Sequence, residues 1–131
     1  MATSLWVWLI LALLPYGLAA AGGVMKLRQL GRLDNHHPRL QARQLTGVGA
    51  RVWAAQANAW EALALYSAVF AVAHFAGVTE AVLSLPALGF LLTRILHPVC
   101  YLADWALARS LTVTAGLAIC VFVAVQAISL A

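Results

Sequence analysis

The chain has 131 residues, 64% of them hydrophobic and 9% charged, with a net charge of +4 and a mean hydropathy of +0.91. Globular domains are about 45 to 50% apolar, so this composition excludes a water-soluble fold and indicates an integral membrane protein. The excess positive charge sits mostly in one loop, where membrane topology explains it better than nucleic-acid binding does.

Four apolar stretches are read at approximately residues 2–25, 52–76, 81–101 and 105–130. Each is near the roughly 20 residues that a 30 Å hydrocarbon core requires of a helix. The expected fold is all-α: a single four-span membrane domain over residues 1–131, built as a four-helix bundle. Small residues such as Ala54, Ala55 and Ala57 suit close helix packing in lipid. The first stretch ends in Leu18-Ala19-Ala20-Ala21-Gly22, which resembles a signal-peptide cleavage site. A signal peptide carries its basic residues before the apolar run, whereas here the first one, Lys26, follows it. The stretch is therefore read as a retained span.

The first loop and its junction hold Lys26, Arg28, Arg32, Arg39, Arg43 and Arg51. Basic residues mark cytoplasmic loops, so this loop is expected in the cytoplasm with both termini on the other side. Within it, Asp34-Asn35-His36-His37-Pro38-Arg39 could suggest a metal site, but adjacent histidines on one backbone rarely converge on an ion. Asp and Asn before a proline mark a turn and a helix start, so a short interfacial helix is expected over residues 38–45 and no metal is assigned.

The second and third stretches are joined by Gly77-Val78-Thr79-Glu80 and form an antiparallel hairpin. A turn centred on Gly77 and Val78 sets Glu61 opposite Arg94 and Asn58 opposite His97. A charge at the centre of a span costs about 2.5 to 3.5 kcal/mol, so Glu61 and Arg94 are expected to pair. At 100° per residue, Arg51, Ala54, Asn58 and Glu61 share an arc of roughly 80°. Arg94, His97 and Tyr101 share one of roughly 60°. Gln56 points away from the first stripe, so a ligand touching both must lie between subunits or beside another helix. Pro98 frees the Arg94 carbonyl next to the second stripe. The last stretch opens with Arg109-Ser110, two donors placed where an anion or thiolate could be stabilised. Cys100 and Cys120 lack metal or redox spacing and read as packed thiols.

These residues resemble the MAPEG family, the membrane-associated proteins of eicosanoid and glutathione metabolism. The run from Arg51 through Gln56, Asn58 and Glu61 is similar to the family's second-helix signature. Arg94 to His97, Tyr101 and Arg109-Ser110 are similar to its third- and fourth-helix pattern, and the loop from Asp34 to Arg39 is similar to that of bacterial members of uncharacterised activity. The resemblance implies a homotrimer in a bacterial inner membrane, with glutathione bound between neighbouring subunits near the cytoplasmic side. Asn58, Glu61, Arg94, His97, Tyr101 and Gln56 would hold glutathione, while Arg109 and Ser110 would act on its thiol. The implied activity is that of a glutathione-dependent transferase or peroxidase on lipophilic electrophiles entering from the bilayer. The alternative is a non-catalytic protein on the same scaffold that binds lipid or a partner. Ala54, Ala57 and Val113 depart from the pattern, since some members carry basic residues at the first two positions and a tyrosine at the third.

The loop asymmetry predicts that cysteine-accessibility labelling will find position 35 cytoplasmic and position 79 on the opposite side. The reverse labelling would overturn the topology.

Overall fold

A computed structural model of the chain describes residues 1–130, and their regular structure is entirely helical. Four long helices, α1 (Thr3–Leu30), α3 (Gly47–Phe75), α4 (Glu80–Leu102) and α5 (Ala106–Ile128), pack side by side, and a five-residue helix, α2 (Pro38–Ala42), lies in the first loop. Three of the long helices, α1, α4 and α5, are long and apolar enough to cross a membrane. The expectation of four such segments is met in number of helices but not in composition. At 29 residues α3 is long enough, but Arg51, Gln56, Asn58, Glu61 and His74 lower its hydropathy.

Both tight connections between long helices use one backbone solution. At the end of α3 the Gly77 N–H donates to the His74 carbonyl at 3.1 Å, and the Val78 N–H to the Ala73 carbonyl at 3.0 Å. This double closure requires a left-handed residue after the helix cap, and Gly77 supplies it with φ 82°. Val78 then turns inward and is 6% exposed. Between α4 and α5 the same pair of bonds runs from Asp104 to Tyr101 and from Trp105 to Cys100. Here the left-handed residue is Asp104, with φ 60°, and its carboxylate lies 3.7 Å from Arg51 on α3.

The first loop is organised by amide side chains that behave like pieces of backbone. Gln29 pairs with both the N–H and the carbonyl of Thr46, and Gln41 pairs with the Asp34 N–H and the Arg32 carbonyl. Asp34 Oδ1 accepts the N–H groups of His36 and His37 at 2.9 and 3.0 Å. The His37 N–H, ahead of the other contacts, holds the Asp34 carboxyl below its usual range. The turn expected from this motif is present, and Pro38 opens α2 behind it. The helix stops at Ala42, short of the predicted residue 45.

The core fills the half of the molecule nearest the α3–α4 turn. Tyr66 stacks on Phe70 with ring centroids 3.8 Å apart, and Val7, Leu83, Ala87 and Val123 close around them with at most 1% exposure. Above this core lies a polar cluster absent from the sequence reading. Glu80 accepts the Ser4 N–H at 2.8 Å and the Ser4 hydroxyl at 2.7 Å, and the Ser84 hydroxyl, one turn on, donates to the Glu80 main-chain carbonyl at 2.7 Å with the carboxylate 3.0 Å away. The Ser4 hydroxyl also lies 3.0 Å from His74 Nε2, and Tyr66 donates to the Ser4 carbonyl at 2.9 Å. The Ser4 proton goes to the carboxylate, so His74 is the donor of its contact. Glu80 thus sits at the N-terminal turns of both α1 and α4, where unpaired N–H groups favour negative charge.

Hydrogen bonds to a charged acceptor contribute about 1.5 to 3 kcal/mol each. Glu80→Gln is therefore expected to lower stability by at least about 1 kcal/mol, and Tyr66→Phe, which keeps the stacked ring, by about 1 kcal/mol. Thermal melts in detergent check both, and an unshifted Glu80→Gln melt would show that the cluster does not tie α1 to the hairpin.

Candidate functional site

The half of the molecule nearest the α4–α5 turn has polar residues where the other half has its core. Its centre is Arg94 on α4, 4% exposed. The guanidinium has five N–H donors and no acceptor. Nη1 donates to Asn58 Oδ1 on α3 at 3.2 Å, Nη2 to the Thr112 carbonyl on α5 at 2.6 Å, and Nε to the neighbouring Thr93 hydroxyl at 3.1 Å. Phe90 lies one turn away with its ring centroid 5.3 Å from the guanidinium carbon. Three helices therefore meet on one side chain.

The approach to α5 depends on Gly116. A helical carbonyl points toward the residue four positions on, so whatever stands at 116 flanks the Thr112 oxygen. A Cβ there would lie 3.2 Å from Arg94 Nη2 and 3.2 Å from Thr93 Oγ1. Glycine leaves that space to the guanidinium.

The expected ion pair between Glu61 and Arg94 does not form among the described residues. Asn58, one turn nearer the α4–α5 end, intercepts the guanidinium, and the Thr112 carbonyl takes its other edge. Glu61 is exposed and makes one long contact, 3.5 Å from Asn58 Nδ2. It still shares a cleft with Arg94: a volume of about 200 Å³ between α3, α4 and α5, walled on its apolar side by Leu65, Val113 and Leu117.

A second cleft, of about 290 Å³, adjoins the first through their common residues Asn58 and Val113 and is lined by His97, Tyr101, Arg109 and Ser110. The Arg109 guanidinium carbon lies 4.4 Å from the centre of the Tyr101 ring, and that ring meets His97 edge-on at 5.2 Å. A cation over an aromatic face is held by the ring quadrupole, so Arg109 is positioned with no carboxylate in salt-bridge contact among the described residues. It stands in the first turn of α5, whose unpaired N–H groups add to the positive field. The Ser110 hydroxyl donates to the Ala106 carbonyl at 3.1 Å, so donating to a ligand requires it to rotate.

Seven of the eight sequence-derived site residues thus line two connected clefts. The exception is Gln56, which lines a separate groove of about 340 Å³ with Lys26, Arg39, Trp53 and Trp60, between α3 and the α1–α2 region. Sequence reasoning missed Thr112, Thr93 and Gly116. The spacing of Arg109, Thr112 and Gly116 at i, i+3 and i+7 places them on one helical face, but a carbonyl acceptor and an absent Cβ leave no mark of their own in residue type.

The class of protein follows from these features: an all-helical membrane protein with a cationic, partly apolar cleft between its helices. The MAPEG family model matches residues 3–129, nearly the whole chain, and the chain belongs to that family. Curated proteins yield no match to it.

Two glycine substitutions test the Arg94 geometry. Gly116→Ala should destabilise the protein by about 1 to 3 kcal/mol, the usual range for overpacking. Gly89→Ala meets only the mobile Ile119 Cδ1 at 3.3 Å, and alanine's helix preference of about 1 kcal/mol over glycine should leave it neutral or more stable. Equal melting temperatures for the two variants would mean that Arg94 is not held against α5.

Proposed function

We propose that this protein is a membrane-bound, glutathione-dependent transferase or peroxidase acting on lipophilic electrophiles. The observation that carries the reading is the pair of clefts joined at Asn58 and Val113, with an exposed carboxylate and a buried guanidinium in one and, in the other, a guanidinium that has no salt bridge among the described residues. Glutathione has an ammonium and two carboxylates at a distance from its thiol, and this donor set fits it. Glu61 offers an acceptor to the ammonium, and Arg94 keeps two N–H donors beyond the three used within the chain. Bound glutathione supplies a thiolate nucleophile. Arg109 stabilises negative charge at the thiol position, Ser110 adds a hydrogen bond after rotating off Ala106, and Tyr101 fixes Arg109 in place. Leu65, Val113 and Leu117 give the clefts an apolar wall suited to a lipophilic co-substrate.

The same reading includes a homotrimer of four-span subunits in a bacterial inner membrane, with both termini outside the cytoplasm. For the assembly, the support is the placement of Gln56 in a groove apart from the clefts, so that a ligand shared by two copies of the chain could touch both. A non-catalytic lipid-binding role on the same scaffold is favoured by Ala54 and Ala57, which leave fewer cations for an anionic tripeptide.

Ultraviolet difference absorbance on adding glutathione to the purified protein separates the two, since thiolate formation is expected only for the enzyme. Arg109→Ala should leave the melting temperature nearly unchanged, raise the pKa of the bound thiol and lower turnover by about 10²- to 10³-fold, the range for loss of one electrostatic stabiliser. Arg109→Lys, which keeps the charge without the planar fork, should fall between. Full activity in Arg109→Ala would remove this residue from the mechanism.

A further inference from the structure

Thr112 makes three polar contacts with two groups. Its carbonyl accepts from Arg94 Nη2 at 2.6 Å, its hydroxyl donates to the Arg109 carbonyl at 2.7 Å, and the hydroxyl oxygen lies 3.0 Å from His97 Nδ1. Arg94, His97 and Arg109 all line the clefts, and among the described residues Thr112 alone bonds to all three.

A hydroxyl has one proton to give and two lone pairs to accept with. The 2.7 Å contact has the usual length of an O–H···O bond and the 3.0 Å contact that of an N–H···O bond. With its proton on the Arg109 carbonyl, the Thr112 oxygen can only accept from the imidazole, so Nδ1 carries the ring proton. A neutral imidazole has one N–H, and Nε2 is left as a bare lone pair. That nitrogen is buried and has no hydrogen-bond partner among the described residues, in a side chain that is 3% exposed. A buried acceptor without a partner is unfavourable, and groups of this kind call for an explanation.

We infer that Thr112 is a positioning residue of this site: its hydroxyl fixes His97 in the Nδ1–H tautomer and so makes Nε2 an acceptor for an N–H or O–H donor of the bound molecule, while its carbonyl holds Arg94 in register. The inference rests on the reading of these clefts as a glutathione site for the identity of that molecule, but not for the tautomer. His97 by itself does not dictate which nitrogen is protonated. The neighbouring threonine does.

The test is nitrogen NMR of histidine-labelled protein in detergent, at a pH where the imidazole is neutral, with His97 assigned by its loss in His97→Gln. Wild type should show the chemical shift of an unprotonated nitrogen at Nε2 and a protonated one at Nδ1. Thr112→Val keeps the side-chain shape without the hydroxyl and should give mixed tautomers, with glutathione binding weakened by about 2- to 10-fold, the worth of one hydrogen bond. Thr112→Ser should restore both. A wild-type proton on Nε2, or a Thr112→Val spectrum identical to wild type, would overturn the inference, and the wild-type measurement decides even if the valine variant does not fold. Failure of wild type to bind glutathione, with the tautomer as expected, would count against the proposed function and leave the assignment of Thr112 standing.

Discussion

The arrangement of the polar half follows from one constraint, a guanidinium that must be buried inside an apolar helix without a carboxylate beside it. An isolated buried charge is among the costliest groups a protein can hold, and a single neutral hydrogen bond does not offset it. Arg94 is satisfied by three oxygens on three segments, the Asn58 amide, the Thr112 carbonyl and the Thr93 hydroxyl. Each of these sets a requirement elsewhere. Asn58 must face α4, α5 must come close enough to offer a backbone carbonyl, and residue 116 must leave room for the guanidinium, which a Cβ 3.2 Å from Nη2 would narrow. Helix packing on this side is thus dictated by a polar side chain, where the other half is dictated by stacked aromatics and small apolar residues.

Glu80 solves the mirror problem at the opposite end. It is a carboxylate with no cationic side chain in salt-bridge contact among the described residues, satisfied by the N–H and the hydroxyl of Ser4, with the Ser84 hydroxyl 3.0 Å away, and placed at two helix N-termini. The two solutions differ in what they leave over. Around Glu80 the donors are drawn inward and α1 is fastened to the hairpin. Around Arg94 two N–H donors are left unused among the described residues, and Arg94 and the exposed Glu61 line one cleft. One end is closed chemically, and the other keeps charged side chains along a cleft.

Much of this was legible in the sequence because it depends on periodicity and hydropathy. The four long helices fall within a few residues of the expected stretches, except where α1 runs on to Leu30 and α3 begins at Gly47. The hairpin turn is visible in Gly77, and the common depth of Asn58, Glu61, Arg94 and His97 follows from counting outward from it. The partner of Arg94 was not legible. Equal depth allows Glu61 or Asn58, and the choice depends on helix rotation and on a carbonyl of α5, which no residue type reports. Glu80 was hidden for a related reason: its partners on α1, the main-chain N–H and hydroxyl of Ser4, come within reach only when α1 docks.

The missing ion pair bears directly on how the site can work. Had Glu61 closed onto Arg94, the two charges would have neutralised each other and the cleft would present little field to a zwitterionic peptide. Because Asn58 takes the guanidinium, with its amide nitrogen turned toward Glu61, a neutral side chain separates the two charges and each stays available to a group of opposite sign. The same logic holds at Arg109, which rests on an aromatic face and not on a carboxylate. In each case the protein holds its charged groups with neutral partners, which fixes their positions and leaves their charge uncancelled.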